Sequence, residues 1–197
     1  MKYRINSAKA YTKRMKTQIF LRWLFYALVL LFSYCLMSCG AFSTWQPYLI
    51  VCLATAVSMR EQEFSASMFG AVCGFLLDIA TNTLFGFHAA LLLPCCLMIS
   101  LLSRNLIKVN FINHAALNCI TSLILFGMFY LFNFAIWNEP NSDIVFWNII
   151  FPSCLATVIM AVPVYFLIKI IAGKFGLDDA RERELKETAE EAAEDED

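Results

Sequence analysis

The sequence predicts an all-helical (all-α) membrane protein with six transmembrane helices and both termini in the cytoplasm. Of its 197 residues, 60% are hydrophobic and 16% are charged, whereas a soluble domain is roughly half apolar and a quarter charged. The hydrophobic residues form long runs, and a helix needs about 20 apolar residues to cross the hydrocarbon core of a bilayer. The basic residues lie between alternate runs. These three observations indicate a polytopic membrane protein.

Six apolar runs are separated by short polar segments. The predicted spans cover residues 19–39, 48–59, 64–80, 84–103, 115–137 and 144–172. The second run is about 20 Å long even when it is extended back to Trp45, so we expect it to lie in a thin membrane or to be shielded by protein. Prolines predict a kink in the fourth span, at Pro94, and interruptions in the sixth, at Pro152 and Pro163.

The distribution of basic residues predicts the orientation of the spans. With the N-terminus inside, all fifteen lysines and arginines fall in the cytoplasmic segments or, for Arg22 and Lys169, toward the inner ends of the first and sixth spans, and the three outer loops hold none, as the positive-inside rule requires. Because a basic arm that runs straight into an apolar segment is a topology signal, the predicted partner is the lipid bilayer and no nucleic acid. The chain then divides into a basic cytoplasmic arm (1–18), a transmembrane domain (19–175) and an acidic cytoplasmic tail (176–197).

No sequence motif indicates catalysis or a bound cofactor. The chain has no Walker sequence, no GxSxG, no HExxH and no Cys-x-x-Cys pair. We therefore predict a non-enzymatic protein without catalytic residues, cofactor or metal. The eight cysteines all fall within predicted spans, where we interpret them as small, polarisable packing residues.

The residues from 64 to 90 predict a helical hairpin with a close-packing face. Ala66, Gly70, Gly74 and Asp78 are four residues apart, so on a helix they share one face. Small residues let a second helix approach closely in lipid, and a carboxylate on that face would point into protein, because an unpaired charge in hydrocarbon is costly. His88 lies about one turn into the returning helix, within hydrogen-bonding reach of Asp78.

Two roles for Asp78 follow from the sequence, and both stay open at this stage. As a structural residue, it would cap the start of the next helix or bond to His88. As a functional residue, it would bind a cation, carry a proton or pair with a basic group of a partner.

Several short motifs occur in one order between residues 47 and 92: Pro47-Tyr48-Leu49, then Arg60, then Gly70-x-x-x-Gly74-Phe75-Leu76-Leu77-Asp78, then Leu84-Phe85-Gly86-Phe87-His88-Ala89. This segment resembles the rod shape-determining MreD family from its second helix to the start of its fourth. That family consists of small proteins with five or six spans. Glu61 and Glu63 depart from the family pattern, as do the cysteine content and the long acidic tail.

The resemblance implies a non-enzymatic subunit of the bacterial cell-elongation machinery in the cytoplasmic (inner) membrane. In that family, the protein associates with the single-span periplasmic scaffold MreC. It thereby joins cytoplasmic MreB filaments to the peptidoglycan-synthesising glycosyltransferase RodA and its transpeptidase partner. Together, the four-residue spacing and the motifs of the resemblance give the candidate helix-packing and partner-contact residues: Ala66, Gly70, Gly74, Asp78, Gly86 and His88.

The alternative is a substrate-binding membrane subunit of a vitamin transporter of the energy-coupling factor type. Such proteins have about six spans and a similar length, but they typically show an Ala-x-x-x-Ala pattern on the first helix, and no small residue follows Ala27 at that spacing. A vitamin pocket also needs several convergent polar groups. The candidates for them are Asp78, His88, Asn133 and Asn148.

Overall fold

A computed structural model describes residues 2–39, 46–107, 109–135 and 142–174. All regular secondary structure in these ranges is helical, which confirms the predicted all-α class. The α-helices are α1 (Lys2–Ser38), α2 (Leu49–Ser58), α3 (Glu63–Thr81), α4 (Phe87–Asn105), α5 (Phe111–Tyr130), α6 (Ser142–Val145) and α7 (Phe151–Lys174), and short π-helical turns cover Leu131–Ala135 and Phe146–Ile150.

Five helical segments are long and apolar enough to cross a membrane: Ile19–Ser38, Glu63–Thr81, Phe87–Asn105, Phe111–Phe134 and Phe146–Gly173. The chain therefore has the make-up of a multi-pass membrane protein. The predicted second span appears as α2, which has ten residues and is about 15 Å long at 1.5 Å per residue. That length is about half of the hydrocarbon thickness.

The chain divides into two compact units, one formed by residues 1–29 and 169–197 and the other by residues 30–168. In the first unit, α1 begins at Lys2, so the backbone of the predicted basic arm is helical. Trp23 and Tyr26 there make an edge-to-face contact with 5.8 Å between ring centroids. The predicted acidic tail (176–197) lies outside the described residues, as do Trp45 and Trp137.

The second unit is built around α2. All ten residues of this helix are buried, and it packs against α3, α4 and α5. Its sequence, LIVCLATAVS, has no charged residue and no aromatic one, so every side chain is small or aliphatic enough to be enclosed by neighbouring helices. Of the two predicted explanations for its short length, the structure shows shielding by protein.

Helices α3 and α4 form the most extensive helix pair in the second unit. Glu63 lies in the first turn of α3, where a negative charge interacts favourably with the helix dipole. The helix ends at Asn82, which has a left-handed conformation with φ 51°, and asparagine tolerates that conformation better than most residues. Gly86, with φ 94°, precedes α4 and completes the reversal of the chain.

The prolines have different structural contexts. Pro94 lies inside α4 and Pro163 inside α7. Pro152 is the second residue of α7, which directly follows the π-helical turn at Phe146–Ile150. The winding changes from π-helical to α-helical between Ile150 and Phe151, directly before Pro152.

Candidate functional site

The small residues of α3 form a seam against α4. Ala66, Gly70 and Gly74 are all buried. A Cβ atom added at Gly70 would lie 2.6 Å from Sγ of Cys96, and one added at Gly74 would lie 2.5 Å from the backbone nitrogen of Ala89. Both distances are below van der Waals contact, so glycine is required for this approach. The predicted close contact is thus made within the chain itself.

Asp78 ends this seam with a buried carboxylate whose two oxygens both accept hydrogen bonds. Its Oδ1 atom accepts hydrogen bonds from the His88 backbone nitrogen at 3.0 Å, from His88 Nδ1 at 2.7 Å and from Thr83 Oγ1 at 3.2 Å. Its Oδ2 atom accepts one from the Gly86 backbone nitrogen at 2.7 Å. Three of the four bonds therefore converge on Oδ1, and each oxygen has at least one donor.

The carboxylate thereby caps the N-terminus of α4 from the neighbouring helix. The first turn of a helix has backbone N–H groups without partners in the helix, and an acidic group nearby is favoured by the helix dipole. Asp78 accepts from two of these groups, those of Gly86 and His88. Both structural roles considered for Asp78, capping the next helix and bonding to His88, occur together.

His88 is fully buried and surrounded by aromatic rings. The ring centroids of Tyr48, Phe87 and Phe129 lie 6.0, 5.2 and 6.3 Å from the centroid of its imidazole. Because the carboxylate of Asp78 is an acceptor, Nδ1 of His88 carries the proton of their bond. The other ring nitrogen, Nε2, is buried and has no hydrogen-bond partner among the described residues.

The turn between the helices is tied to the same carboxylate. The Thr83 backbone nitrogen donates to the Asp78 carbonyl oxygen at 3.1 Å. The Thr83 hydroxyl lies 3.1 Å from that of Thr81, which donates to the Leu77 carbonyl oxygen at 2.7 Å. The side chain of Asp78 and the hydroxyls of the turn therefore form one network. We call this network, with Gly86 and His88, the hairpin cluster.

A second polar cluster lies along α2. The Thr55 hydroxyl is 3.1 Å from Asn118 Oδ1 and 3.4 Å from His114 Nε2. On the next turn, Cys52 Sγ donates to the Thr157 carbonyl oxygen at 3.1 Å. These five residues, from α2, α5 and α7, form what we call the α2 cluster. They link the buried helix to its neighbours through neutral side chains.

Sequence reasoning found only part of the α2 cluster. Asn118, Thr121 and Ser122 stand close together in the predicted fifth span, and all three are buried. His114, one residue before that predicted span, is fully buried as well. The signal that would have included it is the spacing of His114, Asn118 and Ser122, which places them four residues apart on one face of α5.

Charged residues gather at the opposite end of the α3–α4 hairpin, which we call the charged end. Arg104 Nη1 lies 3.1 and 3.2 Å from the two carboxylate oxygens of Glu63, and about a third of each side chain is exposed. Arg60 and Glu61, in the turn before α3, are buried. The guanidinium carbon of Arg60 lies 5.8 Å from the ring centroid of Tyr165, within the range of a cation–π contact.

The four polar residues considered for a transported substrate do not come together. Asp78 and His88 bond to each other. Asn133 and Asn148 are exposed, and each amide donates to a carbonyl oxygen of its own helix, at 2.9 Å to Phe129 and 3.0 Å to Ile144. In the described part of the chain, no group of three or more His, Cys, Asp or Glu side chains is placed to hold a metal ion.

Comparisons with protein-family models, with curated proteins and with solved structures found no match to this chain.

Proposed function

We propose that this protein is a non-enzymatic membrane subunit of the MreD type in the bacterial cytoplasmic membrane. It would link a single-span scaffold of the MreC type, a RodA-type glycosyltransferase and its transpeptidase to MreB-like filaments, and so regulate cell shape. One observation carries the proposal. The residues of the MreD-like motif, Gly70, Gly74, Asp78, Gly86 and His88, meet in a single helical hairpin.

The chemistry of the hairpin supports a role in assembly. The Asp78 carboxylate joins α3 to the turn and to the start of α4 through four hydrogen bonds, so the hairpin forms one packing unit. The opposite face of α3 is exposed and apolar, with large side chains at spacings of three and four residues: Phe64, Met68, Val72, Phe75 and Ile79. Such a ridge suits contact with lipid or with the spanning helix of a partner.

The proposed topology has six crossings and cytoplasmic termini. The short α2 would be the second crossing, enclosed by α3, α4 and α5 and not by lipid. The location of all fifteen basic residues on the proposed cytoplasmic side, either between spans or toward the inner ends of spans, supports this orientation. Reporter fusions placed after Lys174 and within residues 138–143 should report opposite sides of the membrane. Finding both reporters on one side would contradict the topology.

The function is tested by depleting the protein and by isolating it with its neighbours. Depletion in the native bacterium should turn rod-shaped cells round, and re-expression should restore the rods. A tagged chain, purified from native membranes after mild cross-linking, should carry the single-span scaffold and the glycosyltransferase. Cells that stay rod-shaped after depletion, together with a purified chain that lacks both proteins, would overturn the proposal.

A further inference from the structure

The tip of the α3–α4 turn presents two of the most exposed apolar side chains in the described residues. Leu84 is 81% exposed and Phe85 is 70% exposed. The ring of Phe85 stacks on that of Phe75 with 5.0 Å between centroids, so it is held against the side of α3. An exposed apolar pair of this kind favours an apolar neighbour, because leaving it in water is unfavourable.

The length of the hairpin sets the depth of this tip. Helices α3 and α4 have 19 residues each and are therefore about 28 Å long, slightly less than the hydrocarbon core of about 30 Å. At the charged end, the partly exposed Arg104–Glu63 ion pair belongs at the level of the lipid headgroups. The tip then reaches the far edge of the hydrocarbon core and does not extend beyond it.

The composition of the hairpin agrees with that depth. Between Glu63 and Arg104, the chain contains a single charged residue, Asp78, and its carboxylate is buried by protein. No charged side chain in the turn draws the tip into water. At the charged end, by contrast, Leu106 lies between Arg104 and Lys108 and is 79% exposed.

The hydrogen bonding of the turn backbone also suits a poorly hydrated environment. Irregular backbone is tolerated near hydrocarbon only where its polar groups have partners. The backbone nitrogens of Thr83, Gly86 and His88 all donate to Asp78. Within the described residues, those of Leu84 and Phe85 make no hydrogen bond, which suits the headgroup layer, where lipid oxygens and water accept.

From these observations we infer that Leu84 and Phe85 insert into the interfacial layer of the leaflet opposite the charged end, with phospholipid as the occupant of this apolar patch. The hairpin cluster fixes the shape of the tip, because the hydrogen bonds to Asp78 hold the turn in place. This inference does not depend on the proposed role in cell shape. The α3–α4 turn would then anchor the hairpin in lipid, and it would not protrude into water.

Hydroxyl-radical footprinting of the native chain tests the inference without any substitution. The chain is reconstituted in vesicles of phosphatidylethanolamine and phosphatidylglycerol, and oxidation is read at each residue by mass spectrometry. Leu84 and Leu106 form a matched pair, because they have the same chemistry and nearly equal exposure. We expect Leu106 to be oxidised several-fold faster than Leu84. Equal rates would place the tip in water and overturn the inference.

A second measurement distinguishes lipid from a covering protein, such as a second copy of the chain. The same vesicles receive a phospholipid with a photoreactive diazirine close to its glycerol group. Lipid adducts on Leu84 or Phe85, in excess of those on Leu106, are expected after illumination. Protection from radicals without lipid adducts would show that protein covers the tip, and would also overturn the inference.

Discussion

The hairpin cluster and the α2 cluster both hold helices together, but they do so with different chemistry. Each buries a histidine among apolar helices, and each joins neighbouring helices through hydrogen bonds. In the hairpin cluster, the histidine bonds to a carboxylate, with 2.7 Å between His88 Nδ1 and Asp78 Oδ1. In the α2 cluster, the contact is longer and neutral, with 3.4 Å between His114 Nε2 and the Thr55 hydroxyl.

The difference shows where stability is concentrated in this protein. Hydrogen bonds to a charged group are about twice as strong as those between neutral groups, and four of them converge on Asp78. The α2 cluster spreads weaker bonds over three helices. We therefore expect the loss of one side chain to have a large effect in the hairpin cluster and a modest effect in the α2 cluster.

Replacing Asp78 should give the largest effect. Asp78→Ala leaves the buried backbone and ring nitrogens of His88 and the partly buried Gly86 nitrogen without their acceptor, and each buried donor left unsatisfied costs about 1–3 kcal/mol. The free energy of unfolding would be measured by SDS titration in lipid–detergent micelles, followed by tryptophan fluorescence. Asp78→Asn, which keeps one acceptor oxygen, should fall between the wild type and Asp78→Ala.

The control for this substitution is Asn133→Ala, which removes an exposed amide that bonds only within its own helix in the described structure. It should change the free energy of unfolding by less than about 0.5 kcal/mol. If Asp78→Ala were no more destabilising than this control, the carboxylate would not be the centre of the hairpin cluster.

Adding a methyl group to the glycine seam should have the next largest effect. At Gly74 the new Cβ meets the backbone of α4, which cannot rotate away, whereas at Gly70 it meets the side chain of Cys96. Overpacking typically costs about 1–3 kcal/mol, so we expect Gly74→Ala near the upper limit and Gly70→Ala below it. The same SDS titration measures both.

Gly127→Ala is the matched control for the seam. A Cβ atom at Gly127 meets nothing within 4 Å, and alanine favours a helix over glycine by about 1 kcal/mol. This variant should therefore be neutral or slightly stabilised. Equal effects at the three glycines would mean that the close approach of α3 to α4 does not govern them.

The hairpin cluster was largely predictable from sequence because its partners are close in the chain. Asp78 and His88 are ten residues apart and are separated by one turn, so helix periodicity alone places them at similar depth. The four-residue spacing of Gly70 and Gly74 likewise marks the face of α3. What the sequence left open was whether that face packs within the chain or against a partner.

The α2 cluster was harder to predict because it depends on which helices become neighbours. Thr55 lies 63 residues from Asn118, and the contact between Tyr48 and Thr157 spans 109 residues. Periodicity assigns each polar residue to a face, but it does not say which face of another helix lies opposite. The same limit applies to α2 itself, whose short length is explained only by the three helices that enclose it.

The smallest effect is expected in the α2 cluster, where the hydrogen bonds join neutral groups. Thr55→Val keeps the shape of the side chain but removes the hydroxyl that contacts Asn118 and His114. Interhelical hydrogen bonds between neutral groups in membrane proteins contribute about 1 kcal/mol, so we expect a destabilisation of that size. Thr121→Val is the matched control, because Thr121 is also buried and its hydroxyl donates to the Leu117 carbonyl oxygen within its own helix. The control should have a smaller effect, since the loss of such a bond leaves no contact between helices broken. A loss at Thr55 as large as that of Asp78→Ala would show that the neutral cluster is as critical as the charged one, and the contrast between the two regions would fail.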